Sequence, residues 1–161
     1  MAVPLSERKR KFLIVENDPN DAFLIRRALA ATTLFESSVI CRNPSEAKAM
    51  LRGAGMYRNR TRYPWPDLIL TDMRIENESG LELVEWLRQQ PPPLGQLPVF
   101  ILSGSCTPLQ VDAATKVGAN GVFRKPTRLD DLQALIAKIA EQSFSNPPSS
   151  SGNLTKGTPQ P

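Results

Sequence analysis

The stretch Asp67-Leu68-Ile69-Leu70-Thr71-Asp72-Met73 decides how the chain folds. A short apolar run, Leu68 to Leu70, ends in a carboxylate, and turn-forming residues precede it. Such a run reads as a buried parallel strand. Gly80 follows eight residues after Asp72 and opens an apolar pattern of Leu81, Leu83, Val84 and Leu87. Asp72 therefore heads a strand–loop–helix unit. In open α/β sheets, ligand sites lie just beyond the carboxyl ends of the strands. An Asp at a strand end is also an ordinary turn residue, so the flanking sequence has to separate the two readings.

Outward from that stretch the same unit recurs. Upstream, Lys11-Phe12-Leu13-Ile14-Val15 ends in Glu16-Asn17-Asp18, and a helix opens at Pro19 or Asn20 with Ala22, Phe23, Ile25, Ala28 and Leu29 at helical spacing. Ser38–Cys41 is a short second strand. Asn43 caps the next helix, Pro44 suits its first position, and it stops near Gly53. Residues 53–66 form a long connection rich in Arg, Gly, Tyr and Pro, an unusual length inside a compact domain. Downstream, Leu81–Gln89 is a helix ended by Pro91-Pro92-Pro93. Pro98–Leu102 is a strand ending in Ser103-Gly104-Ser105, and Thr107-Pro108 opens a helix closed by Gly118. Gly121–Arg124 is a strand ending in Lys125-Pro126, and Arg128–Gln142 is the last helix. Five strand–helix repeats predict a flavodoxin-like, doubly wound, five-stranded parallel sheet of order 2-1-3-4-5, with helices on both faces.

Charge and composition narrow the function. The net charge of +4 divides into +3 in residues 1–11 and +1 in residues 143–161, which leaves residues 12–142 neutral. The basicity belongs to the ends, so nucleic acid is not an expected partner. Residues 1–10 read as a disordered basic leader, 11–142 as the folded domain, and 143–161 as a disordered Pro/Ser-rich tail. Arg52, Arg58, Arg60 and Arg62 form a local basic run without acids, which reads as a solvated loop. No apolar stretch approaches the roughly 20 residues of a membrane span. Two cysteines without a CxxC and no signal peptide point to the cytoplasm. The chain has no histidine, which excludes Ser-His-Asp and Cys-His catalysis.

The predicted sheet brings the polar strand ends to one edge: Glu16 and Asn17, then Asp72, Ser103 and Lys125. Strand ends are polar in general, which accounts for one or two such groups but poorly for this set in this order. Phosphoryl transfer to a carboxylate needs such a set. The Asp is the nucleophile, hard oxygen ligands hold Mg²⁺, and a Lys and a hydroxyl contact the phosphoryl oxygens.

Residues Phe12 to about Gln142 resemble the receiver domain of two-component response regulators. The resemblance rests on Phe12–Asp18, Leu68–Asp72 with Gly80, Val99–Ser105, and Gly118–Pro126. The loop at 53–66 is similar to that of standalone receivers paired with phytochrome-type or other hybrid histidine kinases. The resemblance implies that Asp72 is the phosphoacceptor, Ser103 the switch hydroxyl and Lys125 the phosphate-contacting lysine, next to a Lys125–Pro126 bond that is often cis. It implies Mg²⁺ on Glu16, on residue 17, on Asp72 and on the main-chain carbonyl of Arg74.

This chain departs from that pattern at three places. Asn17 replaces a carboxylate that usually binds the metal, and Asp18, one residue on, is a candidate ligand if it turns inward. Val122 stands at the aromatic switch position, with Phe123 expected in the core. Arg74 follows Asp72 by two residues, where its side chain is expected to take over part of the metal's electrostatic role. The implied function is a non-enzymatic receiver, phosphorylated by a histidine kinase or phosphotransfer protein, that signals by contact with a downstream protein. The alternative is a degenerate receiver that binds partners without phosphorylation. The face formed by the fourth helix, fifth strand and fifth helix is the expected contact surface and would also serve a homodimer. A phosphatase would carry an Asp where Arg74 stands, and a flavin domain would not place Glu16-Asn17-Asp18-Pro19 after its first strand.

Overall fold

The computed structural model describes residues 8–33 and 35–144. The order is β1 (Arg10–Val15), α1 (Pro19–Ala30), β2 (Phe35–Cys41), α2 (Pro44–Arg52), β3 (Leu68–Asp72), α3 (Gly80–Arg88), β4 (Val99–Ser103), α4 (Pro108–Val117), β5 (Gly121–Arg124) and α5 (Leu129–Phe144). A short ribbon pairs Arg74–Ile75 with Glu78–Ser79, and a 3₁₀ turn covers Gly55–Arg58. The five long strands form one parallel sheet in the order β2-β1-β3-β4-β5, as the strand–helix alternation predicts.

Alternation along β1 builds the two cores. Leu13 and Val15 face a layer closed by Met50 and Leu51 of α2, Leu83, Val84 and Leu87 of α3, and Ala114 of α4. Phe12 and Ile14 face Ile25, Ala28 and Leu29 of α1 and Leu132, Ile136 and Ile139 of α5. Period-2 strands buried on both sides leave no polar face, which is why the runs look uniformly apolar. Phe123 stacks on Phe100 at 6.0 Å and packs in the second core, while Val122 packs against the first.

Helix starts follow the cap residues. Asp18, Asn43, Ser79 and Thr107 each accept a bond from a backbone N–H in the first turn. Gly53 and Gly118 close α2 and α4 at φ 70° and 102°. The second strand is longer than Ser38–Cys41, because β1 offers partners from Arg10 onward. The predicted leader and tail lie mostly outside the described residues, but Arg10 belongs to β1, and Ser143 and Phe144 belong to α5. The Arg10 guanidinium sits over the Phe144 ring at 4.2 Å, which ties these two ends to the fold.

Candidate functional site

Parallel pairing sets the register of the site. Asp72 lies opposite Leu102, and Ser103 opposite Arg124, so Asp72, Ser103 and Lys125 emerge together at the carboxyl edge. A bond from Lys125 N–H to the Ser103 carbonyl, 2.7 Å, fixes the last step. Beyond Asp72, the backbone turns into the two-stranded ribbon, and Gly80 N–H donates to the Met73 carbonyl at 2.8 Å. A Cβ on Gly80 would lie 2.2 Å from the Asp72 carbonyl oxygen. Gly80 is therefore required by the close approach of α3 to the residue it helps to position.

The Lys125 ammonium gathers the acids. Its Nζ is 2.6 Å from Asp72 Oδ1, 2.7 Å from Glu16 Oε1 and 3.1 Å from Asp21 Oδ2. Burial disfavours the charged form of Lys125, but its bonds to Asp72 and Glu16 outweigh that and raise its pKa. Burial, and then the adjoining Glu16 carboxyl, push Asp72 up to about 7 against the pull of Lys125. Three carboxylates against one ammonium leave the cluster negative, a state that favours a cation.

A cavity of about 600 Å³ opens beside this cluster, and Asp72, Arg74, Ser79, Ser103, Gln110 and Lys125 help to line it. Ser103 lines that cavity, and no hydrogen bond engages its hydroxyl among the described residues, so it is free to donate to a ligand there. Gln110 is held by a reciprocal capping box with Thr107.

The other predicted site residues are placed differently. Asn17 is exposed and lines a separate hollow with Arg42, Asn43, Glu46 and Glu76. Asp18 caps α1, its Oδ1 accepting from Asn20 N–H at 2.8 Å. Arg74 lines the cavity, but its exposed side chain makes no ion pair among the described residues. Lys125, not Arg74, is the cation against Asp72. The Lys125–Pro126 bond is not cis; the cis bond among the described residues is Pro92–Pro93. Asp21 is the residue that sequence reading missed. Its signal was an acid in the first turn of a helix that starts beside the acidic strand end.

The arrangement fits a hydrated divalent ion. No group of three or more His, Cys, Asp or Glu is arranged as a metal cage among the described residues. Mg²⁺ does not need one, since it keeps several waters and takes one or two carboxylates. Glu16 and Asp72 are two carboxylates that share the Lys125 ammonium.

Comparison with known proteins places the chain in a family. The response regulator receiver domain family matches residues 12–137. The chain belongs to that family. The receiver is 29% identical to response regulator Rcp1 of Synechocystis, over 83% of this chain and 88% of that protein. It is 33% identical to the response regulator PilR of Pseudomonas aeruginosa over 80% of this chain, but spans only 26% of PilR. The phosphorylated cyanobacterial phytochrome response regulator RcpA superposes with a TM-score of 0.73 at 31% identity, covering 83% of this receiver and 92% of RcpA. Rcp1 has also been solved in a Mn²⁺-bound form. Receiver domains take part in two-component signalling, bind Mg²⁺ or Mn²⁺ in an acidic site, and interact with histidine kinases and downstream targets.

Proposed function

We propose that this receiver accepts a phosphoryl group on Asp72 from a histidine kinase or phosphotransfer protein in the cytoplasm, and signals by protein contact rather than by catalysis. One observation carries the reading: Asp72, Lys125 and the unpartnered Ser103 hydroxyl meet at one open cavity. An Asp72 carboxylate oxygen attacks the phosphorus, and the donor's bond to phosphorus breaks as its leaving group departs. Lys125 pairs with a phosphoryl oxygen, and Ser103 donates to another. Glu16 and Asp72, with the Arg74 carbonyl, would hold Mg²⁺, which supplies positive charge against the phosphoryl oxygens. Asp18 stays on the α1 cap. Val122 replaces the aromatic switch, so the change at Ser103 passes to α4 and β5 through aliphatic packing. Leu109 and Val111 are two exposed apolar side chains on α4, which supports that helix as part of the contact surface for a downstream protein or a second copy.

The second reading, a receiver that works without phosphorylation, is favoured by the position of Asn17 away from the cavity lining. Mg²⁺-dependent labelling by acetyl phosphate, read by intact mass with Asp72→Asn as control, separates the two. Addition of one phosphoryl group, lost in the control, is expected. No addition to the folded protein at high Mg²⁺ would leave the phosphorylation-independent reading in place.

A further inference from the structure

The connection between α2 and β3 is not the solvated loop that its arginines suggest. Residues 47–66 carry Lys48, Arg52, Arg58, Arg60 and Arg62 and no acid. Yet the segment is built into the fold. Tyr57 is buried in the core and meets Tyr63 edge to face at 4.9 Å. The Asn59 side chain accepts from Thr61 and Arg62 N–H groups at 3.0 and 3.1 Å. Arg60 donates to the carbonyls of Leu51 and Tyr63 and lies over the Trp65 ring at 4.0 Å. An unusually long connection held this firmly is a preorganised surface, not slack chain.

What this surface presents has the composition of a recognition patch. Trp65 is 51% exposed although its ring is fixed by Arg60. Beside it opens an apolar hollow of about 500 Å³, lined by Trp65, Gln90, Pro91, Pro92, Pro93 and Leu94. Met56 on the same connection is 65% exposed. Arg52, Arg58 and Arg62 are exposed, and none of them pairs with a carboxylate among the described residues. Exposed arginines along the connection that carries Trp65, and Trp65 itself at an apolar hollow, are of the residue types that dominate interface energetics.

We propose that this surface docks an acidic segment of a partner protein, with one large apolar side chain of that segment seated in the hollow at Trp65. The uncompensated arginines set the charge of the occupant. The hollow favours a peptide over a nucleic acid, because Trp65 is the one ring in its lining on which a base could stack, and the rest is Pro91, Pro92, Pro93, Leu94 and Gln90. The proposal is independent of Asp72 chemistry, because the hollow and the Asp72 cavity have no lining residue in common.

The test uses the full chain, ¹⁵N-labelled, titrated at low salt with a synthetic ten-residue peptide of Glu and Asp around a central Leu. Amide shifts concentrated at residues 55–66 and 90–94 are expected. Binding should weaken about tenfold in Trp65→Ala and again in Arg58→Glu/Arg62→Glu, and similarly with the Leu→Ala peptide. All three protein positions are exposed, and unchanged amide spectra outside the patch verify the fold of each variant. Absence of shifts at millimolar peptide overturns the proposal. So does equal binding of a control peptide with Gln and Asn in place of Glu and Asp, or tighter binding of a single-stranded oligonucleotide.

Discussion

Lys125 at the carboxyl edge of the sheet and Arg88 at the amino edge are both partly buried cations, and their partners differ in kind. Lys125 is held by the carboxylates of Glu16, Asp21 and Asp72. Arg88 is held by neutral acceptors: the carbonyls of Gly118, Gly95 and Leu97 and the Asn120 side chain, at 2.8–3.0 Å. Burial lowers the Arg88 pKa, with no carboxylate among the described residues to oppose it, whereas the acids raise that of Lys125. Backbone carbonyls are fixed by the chain, so the amino edge is a closed joint between α3, α4 and the start of β4. Side-chain carboxylates can exchange an ammonium for a metal ion or a phosphoryl group. The carboxyl edge can therefore change state, and the amino edge cannot.

Removing each cation should separate the two edges most strongly. Lys125→Met leaves Glu16, whose side chain is 2% exposed, without a counter-charge. We expect a loss of about 3–5 kcal/mol in urea unfolding. Arg88→Met strands several carbonyls and should cost about 2–3 kcal/mol. Added Mg²⁺ should return part of the first loss and none of the second. Equal Mg²⁺ responses would erase the distinction between an exchangeable edge and a fixed one.

The pH dependence sharpens it further. Asp72 titrates at about 7 in the folded chain against an ordinary 3.8. Between those values the folded state binds more protons than the unfolded state, so stability falls as pH rises. The raised Lys125 pKa adds stability that is lost only above its ordinary 10.5, outside this window. Metal-free protein should lose about 2 kcal/mol between pH 5 and 7. The slope should flatten in Asp72→Asn and persist in Arg88→Met. A slope of opposite sign in the unmodified chain would show that Lys125 keeps Asp72 charged throughout.

The smallest effect concerns Asp21, whose side chain is 36% exposed. Asp21→Asn should cost less than about 1 kcal/mol. Its effect should vanish in a Lys125→Met background if Asp21 acts only through the ammonium. Additive losses in that double-mutant cycle would detach Asp21 from the cluster.

The sheet order, the Asn43 and Thr107 caps and the Asp72–Ser103–Lys125 edge were legible in the sequence, whereas the Asp18 and Ser79 caps were not. Each legible feature follows from local rules: strand period, first-turn chemistry, and the placement of parallel strand ends on one side. The acidic cluster was legible only in outline. Sequence counted Asn17 and Asp18 toward the metal, but the α1 cap takes the Asp18 carboxylate and turns Asn17 to another hollow. Asp21, five residues beyond Glu16, reaches Lys125 because α1 packs on α5, and adjacency in the chain says nothing about that. The same limit hid the order within residues 53–66. A run of arginines looks solvated until the tertiary structure supplies carbonyls and a ring for one of them to hold. Local propensity is written residue by residue. Which polar group meets which is decided by packing, because only packing fixes distances between residues far apart in sequence.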